Sequence, residues 1–112
     1  VYYQLCGNIF LNRLQNCHAI YGAVGEKQSE IEIPEVNYEN NHNVGAFSLE
    51  EQYRNQLGLG HTIKNDKCRV PLISLDEFKC EKPPSFIKID VEGFEINVLK
   101  GATKFLQKNG YP

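Results

Sequence analysis

The sequence of 112 residues contains neither methionine nor tryptophan and shows no excess of basic residues. Its 12 Lys and Arg stand against 14 Asp and Glu, for a formal net charge of −2. A nucleic-acid-binding surface normally appears as a basic excess, so the charge argues against nucleic acid as a partner. No apolar run approaches the roughly 20 residues that cross a bilayer, which argues against a membrane span.

Cysteine is also scarce, and its spacing excludes the common metal motifs. No two of the four cysteines form a CxxC pair, and no histidine lies at a ligand-like distance from two of them, so we expect no metal site. Cys6 and Cys17 lie in apolar segments, where a small buried thiol is the usual arrangement. Cys68 and Cys80 flank one predicted strand, and a disulfide between them is the alternative. We expect four reduced thiols in a cytoplasmic protein.

Hydrophobic periodicity predicts an α/β chain. The pattern indicates a first helix over residues 2–12 and a last helix from Ile96 to Leu106, which Gly110 and Pro112 bring to an end. Between them we predict strands over 17–24, 30–36, 46–49 and 86–91, and over 68–78 a strand followed by a short turn or the start of a helix. Loops are predicted over 37–45 and 50–68. Pro34 restricts the second of these strands to a sheet edge or interrupts it.

The segment FIKIDVEGFE, residues 86–95, combines an apolar strand with a cluster of acids. Phe86, Ile87, Ile89 and Val91 predict a strand that is buried on both faces, followed by a tight turn and a helix. In open α/β sheets, ligands bind at the carboxyl ends of strands beside helix N-termini. The acids fall at that position, which makes the turn a candidate site.

Three acids surround Gly93 in this turn: Asp90, Glu92 and Glu95. Carboxylates near a helix N-terminus are stabilised by the helix dipole, and this explains Glu95 without any ligand. Asp90 shares a strand face with Lys88, because side chains alternate along a strand. The two residues form either a buried ion pair or part of a ligand site.

Residues 86–102, FIKIDVEGFEINVLKGA, resemble the signature segment of the FkbM-type methyltransferases, which use S-adenosylmethionine (SAM). Three weaker segments are similar to the family in the same order. They are LCGNIFLNRLQNCHAIYGAVGE at 5–26, NVGAFSL at 43–49 and VPLISLDEF at 70–78. The resemblance therefore extends over nearly the whole chain.

The resemblance implies an incomplete fold. The family has a Rossmann-like class I methyltransferase sheet, and by alignment of these motifs its first two strands and its C-terminal strands lie outside residues 1–112. We therefore expect one partial FkbM-like domain, an α/β unit with a short β-containing insertion. Residues 86–91 would be the family's fourth strand, next to the first at the switch point of the sheet.

The resemblance also implies roles for site residues. Asp90 is our first choice for the base or for positioning the acceptor, Glu92 is the second, and Lys88 would hold Asp90 ionised. Around the cofactor we expect two groups of residues. They are the corner that borders the adenine ring, Ala23, Val24 and Gly25, and the residues beside the methyl donor, Asp90 and Gly93. The structural alternative is a buried ion pair plus acids at a helix end.

The implied function is SAM-dependent O-methylation of a small acceptor, a hydroxyl on a sugar, lipid or polyketide-like metabolite. Two alternatives remain. One is a catalytically degenerate module used for protein contact, and the other is a different Rossmann-like nucleotide enzyme. A glycine-rich loop in the full-length protein distinguishes them. A different Rossmann-like nucleotide enzyme requires a GxGxxG sequence there, whereas a degenerate module is indicated by the loss of the glycine loop. The oligomeric state is left open.

The 112-residue chain should neither bind SAM nor transfer methyl groups by itself. By the resemblance, the glycine loop and the ribose-binding acid that hold most of the cofactor precede Val1. Calorimetric titration with SAM should show no saturable heat. Micromolar binding by a stable monomer would contradict this placement of the cofactor site.

Overall fold

A computed structural model describes residues 1–36 and 63–112. Their elements are α1 (Tyr2–Leu11), β1 (Ala23–Val24), β2 (Ser29–Val36), β3 (Ile63–Ile73), α2 (Glu95–Lys100) and α3 (Thr103–Lys108). The α/β prediction is confirmed. The predicted strand at 46–49 and the predicted loop at 37–45 lie outside the described residues.

Helix α1 ends in a hydrogen-bonded turn that reverses the chain. Leu14 N–H donates to the carbonyl of Ile9, and Arg13 N–H donates to that of Phe10, each at 3.0 Å. This is a Schellman motif, which requires a left-handed residue at its turning position. Arg13 occupies that position with φ of 52°. The rings of Tyr2 and Tyr21, 5.1 Å apart, then hold the returning chain beside the helix.

The three strands form a mixed sheet in the order β1-β3-β2. Strand β3 lies in the centre, parallel to β1 and antiparallel to β2. Among the described strands, β2 is at an edge, and its register shifts between Pro34 and Val36, as its proline predicts. One face of the β2–β3 pair is a ladder of exposed ion pairs, in which Glu32 lies 3.9 Å from Lys67 and 3.5 Å from Arg69.

Two predicted strand boundaries are wrong. The strand predicted over 17–24 comprises only Ala23–Val24, which pair with Leu72 and Ile73. Pro71, the residue before Leu72, has no N–H to donate, so the ladder does not continue towards residue 17. Strand β3 begins at Ile63, within the loop predicted over 50–68, because β2 supplies backbone partners as far as Ile63. At its other end β3 stops at Ile73, and the turn predicted to follow the strand comes directly after Ser74.

The predicted strand at 86–91 is also wrong. No described strand pairs with it, and a strand forms only where a neighbour supplies hydrogen-bond partners. Its exposure nevertheless alternates along the chain: Ile87, Ile89 and Val91 are half-buried, whereas Lys88 and Asp90 are exposed. Phe86 is 77% exposed. The segment therefore has one open face, and the expected burial of both faces is not found.

The single helix predicted over 96–106 is two short helices that meet at Gly101. The carbonyl of Gly101 leaves the helical ladder and accepts hydrogen bonds from Ser74 Oγ at 3.0 Å and from Asp76 N–H at 2.7 Å. The Asp76 carboxylate then accepts from Phe105 N–H at 2.8 Å, which caps the start of α3. Helix α3 ends at Lys108, before Gly110 with φ of 75°, as the stop signal predicts.

The core lies where β3 meets this helical junction. The buried hydrophobic side chains of the described residues are Val70, Val98 and Ala102, with Ser74 buried beside them. The cysteines are not part of the core. All four are free, Cys17, Cys68 and Cys80 are exposed, and Cys6 is half-buried, so the expected burial of Cys17 is wrong. The cause is the chain reversal at Arg13, which leaves residues 14–18 on the surface.

Substitution by alanine should change the stability of the fold in opposite directions at Gly101 in the junction and at Gly7 in α1. A Cβ added to Gly101 would overlap the carbonyl oxygen of Gly25 and lie 2.9 Å from Cα of Glu26. We expect Gly101→Ala to lower the free energy of unfolding by about 1–3 kcal/mol, as overpacking does. Gly7 in α1 has no atom within 4 Å of such a Cβ. Gly7→Ala should therefore raise the free energy of unfolding by about 0.5–1 kcal/mol.

Urea unfolding of the two variants measures both changes. If Gly101→Ala is as stable as the parent chain, the position of the junction does not depend on its close approach to Gly25.

Candidate functional site

The acidic segment ends in a turn with two consecutive left-handed residues. Glu92 has φ of 43° and Gly93 has φ of 92°. The positive φ expected at Gly93 is confirmed, whereas that of Glu92 is unfavourable for a residue with a Cβ. Phe94 N–H donates to the carbonyl of Val91 at 3.3 Å, and Gly93 N–H donates to Glu95 Oε1 at 3.2 Å. These bonds close the turn directly before α2.

Glu95 has a structural role. It is the first residue of α2, and its carboxylate satisfies the N–H of Gly93 at the helix entrance. Both its place and its hydrogen bond agree with the expected interaction of an acid with a helix N-terminus. No hydrogen bond or ion pair occupies the carboxylate of Glu92 among the described residues.

Lys88 and Asp90 form an ion pair on the open face of the segment. Lys88 Nζ lies 2.9 Å from Asp90 Oδ2, so the predicted pairing on one face is confirmed. The pair is not buried, since the two side chains are 73% and 60% exposed. The hydrogen bond to Asp90, and then the charge of Asp90, raise the pKa of Lys88 above its ordinary value of 10.5. Oδ2 of the exposed Asp90 carboxylate is thus paired with the ammonium group of Lys88.

The end of β1 forms an apolar corner. Ala23 and Val24 are half-buried and Gly25 is buried. Gly25 N–H donates to the carbonyl of Ile73 at 2.9 Å, which extends the pairing with β3 by one bond. A Cβ on Gly25 would lie 3.0 Å from Leu72 Cδ1 and 3.1 Å from Phe94 Cε1. A side chain at position 25 would therefore require the side chains of Leu72 and Phe94 to move.

Phe94 joins the two parts of the predicted site. Its ring packs at Gly25, and its backbone closes the turn that contains Glu92 and Gly93. The acidic turn and the 23–25 corner are therefore neighbours in the fold. No hydrogen bond or ion pair of the described residues connects Asp90 or Glu92 to residues 23–25. Asp90 is exposed and Glu92 is half-buried, and the aromatic ring of Phe94 makes the connection.

Sequence reasoning missed Phe94, Ser74 and Asp76 as residues that position the site. The signal for Phe94 was weak, because an aromatic residue after glycine has no fixed meaning in sequence. The signal for Ser74 and Asp76 was weak too. Both lie inside the segment predicted over 68–78, and the groups they bind in Gly101 and Phe105 are 27 and 29 residues away along the chain.

Two other kinds of site are not found in the described part of the chain. None of its helices is long and apolar enough to cross a membrane. Residues 1–36 and 63–112 also bring together no group of three His, Cys, Asp or Glu side chains that could hold a metal ion.

The described residues form a small α/β unit with a three-stranded mixed sheet, and Phe94 brings the acidic turn next to the end of β1. The family model described as the methyltransferase FkbM domain matches residues 5–110. The chain therefore belongs to the FkbM methyltransferase family, and the resemblance of its motifs is confirmed. No curated protein and no solved structure matches the chain.

The ion pair predicts a measurable coupling between Lys88 and Asp90. In Asp90→Asn the pKa of Lys88 should fall towards 10.5, because both causes of its increase are removed. The sign follows from linkage: a raised lysine pKa stabilises the fold below 10.5, and this contribution is lost as pH rises through the raised value. The NMR signal of the Lys88 ε-methylene, followed against pH, measures the change.

Glu81→Gln is the matched control, since it removes an exposed carboxylate from the same stretch of chain. It should leave the pKa of Lys88 unaltered. An equal fall in both variants would show a general effect of net charge and not this pair.

Proposed function

We propose that this domain, together with the cofactor-binding strands expected outside residues 1–112, transfers a methyl group from SAM to a hydroxyl of a small acceptor. The observation that carries the proposal is the turn at 90–93. It presents the exposed carboxylate of Asp90 and the strained Glu92 beside the end of β1, in a chain that belongs to a methyltransferase family. Strained backbone that persists in a fold is often associated with a functional site.

The residues of the turn suit the reactive end of SAM. The donor carries its methyl group on a positively charged sulfur, and carboxylates favour a cation nearby. Asp90 and Glu92 supply such carboxylates, and neither is consumed in capping a helix, unlike Glu95. The half-buried Ala23 and Val24 and the ring of Phe94 give the adjoining corner the apolar character that suits an adenine ring.

Asp90 is the proposed base or acceptor-positioning residue. A hydroxyl acceptor must lose its proton as its oxygen forms the new bond to carbon, and a carboxylate within hydrogen-bond reach accepts that proton. Lys88 holds Oδ2 of Asp90 at 2.9 Å, which leaves Oδ1 for an acceptor hydroxyl. Lys88 thereby fixes the orientation of the carboxylate, and positioning is the main requirement of an in-line displacement.

Glu92 is the proposed second acid. It lies two residues after Asp90, and the positive φ of Gly93 lets the chain change direction towards α2 directly after it. Its carboxylate would bind a second polar group of the acceptor or the cationic donor. A sugar, a hydroxylated lipid and a polyketide-like metabolite all offer such groups, and these are the acceptor classes we propose.

The function is tested directly by labelled methyl transfer. An active form of the enzyme, incubated with methyl-tritiated SAM and a panel of these acceptors, should transfer the label to oxygen. Transfer to nitrogen or carbon, or no transfer to any acceptor, would contradict the proposal.

Asp90→Asn should lower turnover far more than it lowers affinity for SAM. Loss of a positioned base typically reduces the rate by about 10²–10⁴-fold. Single-turnover methyl transfer and SAM titration of the same variant separate the two effects. Glu81→Gln serves again as the carboxylate control and should keep the parent rate. An unchanged rate in Asp90→Asn would leave the ion pair with a structural role only.

Glu92→Gly should separate activity from stability. Glycine relieves the strain of the left-handed backbone, about 1–2 kcal/mol, and offsets part of that gain by about 0.5–1 kcal/mol of unfolded-state entropy. The free energy of unfolding should therefore stay constant or rise. kcat/KM should fall by about tenfold or more, as expected when one charge-assisted interaction is lost.

Gly93→Ala is the opposite control, because it adds strain at φ of 92° and removes no carboxylate. It should lower the stability that Glu92→Gly preserves. A Glu92→Gly variant that is both unstable and active would show that Glu92 acts in the fold and not in the reaction.

A further inference from the structure

Helices α1 and α3 end at an asparagine that is bound in the same way. Asn12 and Asn109 are the C-cap residues, with ψ of 5° and 9°. Each side-chain Nδ2 donates to the carbonyl group four residues earlier, at 2.8 Å to Asn8 and at 2.7 Å to Phe105. Each cap is followed by a left-handed residue that closes a Schellman motif. The two helix ends can therefore be compared residue by residue.

The two ends differ in the residue that follows the asparagine. It is Arg13 after α1 and Gly110 after α3, and Asn109–Gly110 is the one Asn-Gly pair in the sequence. The N–H of Arg13 donates to the carbonyl of Phe10 at 3.0 Å, whereas the nitrogen of Gly110 lies 3.5 Å from the carbonyl oxygen of Gln107. With this longer bond and no Cβ beside it, the Gly110 nitrogen is less engaged and less shielded than that of Arg13.

We propose that Asn109 is a modification site, at which deamidation without an enzyme loosens the end of α3. The backbone nitrogen of Gly110 attacks Cγ of Asn109, and the Cγ–Nδ2 bond breaks. Nδ2 leaves as ammonia with the proton of the Gly110 nitrogen, and a cyclic imide remains. Water then opens one of the two C–N bonds of the imide and gives aspartate or isoaspartate. Water is thus the co-reactant and ammonia the by-product.

The folded end of α3 slows this reaction. Ring closure requires the Gly110 nitrogen to lie against Cγ of Asn109, and ψ of 9° at Asn109 directs that nitrogen elsewhere. The hydrogen bond from Nδ2 to the carbonyl of Phe105 also holds the side chain on the helix. The helix end must therefore open before the imide forms, so the rate of deamidation follows the local stability of α3.

Asp76 controls this opening from the other end of the helix. Its Oδ1 accepts from Phe105 N–H at 2.8 Å, and the carbonyl of Phe105 accepts from Asn109. Helix α3 has six residues, and so short a helix is marginal without such partners. Loss of the Asp76 cap should therefore open both ends together.

Deamidation weakens α3 in turn. A carboxylate at position 109 has no N–H to donate to the carbonyl of Phe105, and the negative end of the helix dipole repels it. Asn109→Asp should therefore lower the midpoint of thermal unfolding by a few degrees.

Peptide mapping by mass spectrometry tests the proposal. The protein is incubated at mildly alkaline pH in water enriched in heavy oxygen, so that each conversion adds one labelled oxygen. Aspartate and isoaspartate should form at Asn109, while Asn12 should remain asparagine over the same time. Arg13→Gly should make Asn12 convert too, because it gives the cap of α1 the neighbour that Asn109 has. Unfolding of the parent chain in urea should accelerate the conversion of Asn109.

Asp76→Ala should convert at Asn109 about fivefold faster than the parent, the factor that corresponds to the loss of one helix cap. Asp76→Asn, which keeps an acceptor oxygen, should lie between the two. Glu77→Ala removes the adjacent exposed carboxylate and is the matched control, which should convert at the parent rate.

Five results would overturn the proposal. They are an unconverted Asn109, an unconverted Asn12 in Arg13→Gly, equal rates at Asn109 in the folded and urea-unfolded chain, equal rates in Asp76→Ala and Glu77→Ala, and an unchanged midpoint in Asn109→Asp.

Discussion

The carbonyl group of Gly101 is the point on which the arrangement of the described elements depends. It accepts hydrogen bonds from Ser74 Oγ and Asp76 N–H, so the end of β3 and the break between α2 and α3 are joined at one atom. Asp76 then caps α3 through Phe105 N–H. Buried backbone groups must be paired, and this carbonyl obtains from the sheet the partners that a continuous helix would have supplied. The missing Cβ of Gly101 lets Gly25 and Glu26 approach from β1.

The position of the acidic turn follows from this junction. Helix α2 is held at its end by Gly101, and its start lies directly after the Glu92–Gly93 turn. Phe94, the residue before the first turn of α2, packs at Gly25. Gly25, directly after β1, therefore locates the start of this six-residue helix, and Ser74, directly after β3, locates its end. A short helix with fixed ends holds its entrance turn more firmly than its own hydrogen bonds would, since isolated short helices are marginal.

Within residues 1–36 and 63–112, Arg13, Glu92 and Tyr111 keep left-handed backbone conformations in spite of a Cβ, and the first two also carry a long charged side chain. Glu92 does so in the turn of the methyltransferase signature, and Arg13 does so at the end of α1. Glycine occupies comparable positions at Gly93 and Gly110. In each case a charged group is placed where backbone preference alone would select glycine.

Local signals predicted a large part of the fold. The first helix, the edge strand with Pro34, the strand that leads to Ser74, the glycine turn and the C-terminal stop depend on neighbours within a few residues, and all of them are found. The pairing of Lys88 with Asp90 was predictable for the same reason, because alternation along an extended chain places both on one face. The family itself was recognisable from residues 86–102, whose order of charged, apolar and glycine residues is specific.

The sequence by itself determined the α/β class, the first helix, the edge strand with Pro34, which acids surround Gly93 and to which family the chain belongs. Only the tertiary structure decided that β1 is two residues long, that residues 86–91 remain unpaired and that the last helix divides at Gly101. It also decided that Lys88 and Asp90 are exposed and that Phe94 meets Gly25. The physical reason is the same in each case. Strand pairing, burial and helix interruption depend on which distant group supplies a hydrogen bond or covers a surface, and local periodicity contains no information about that partner.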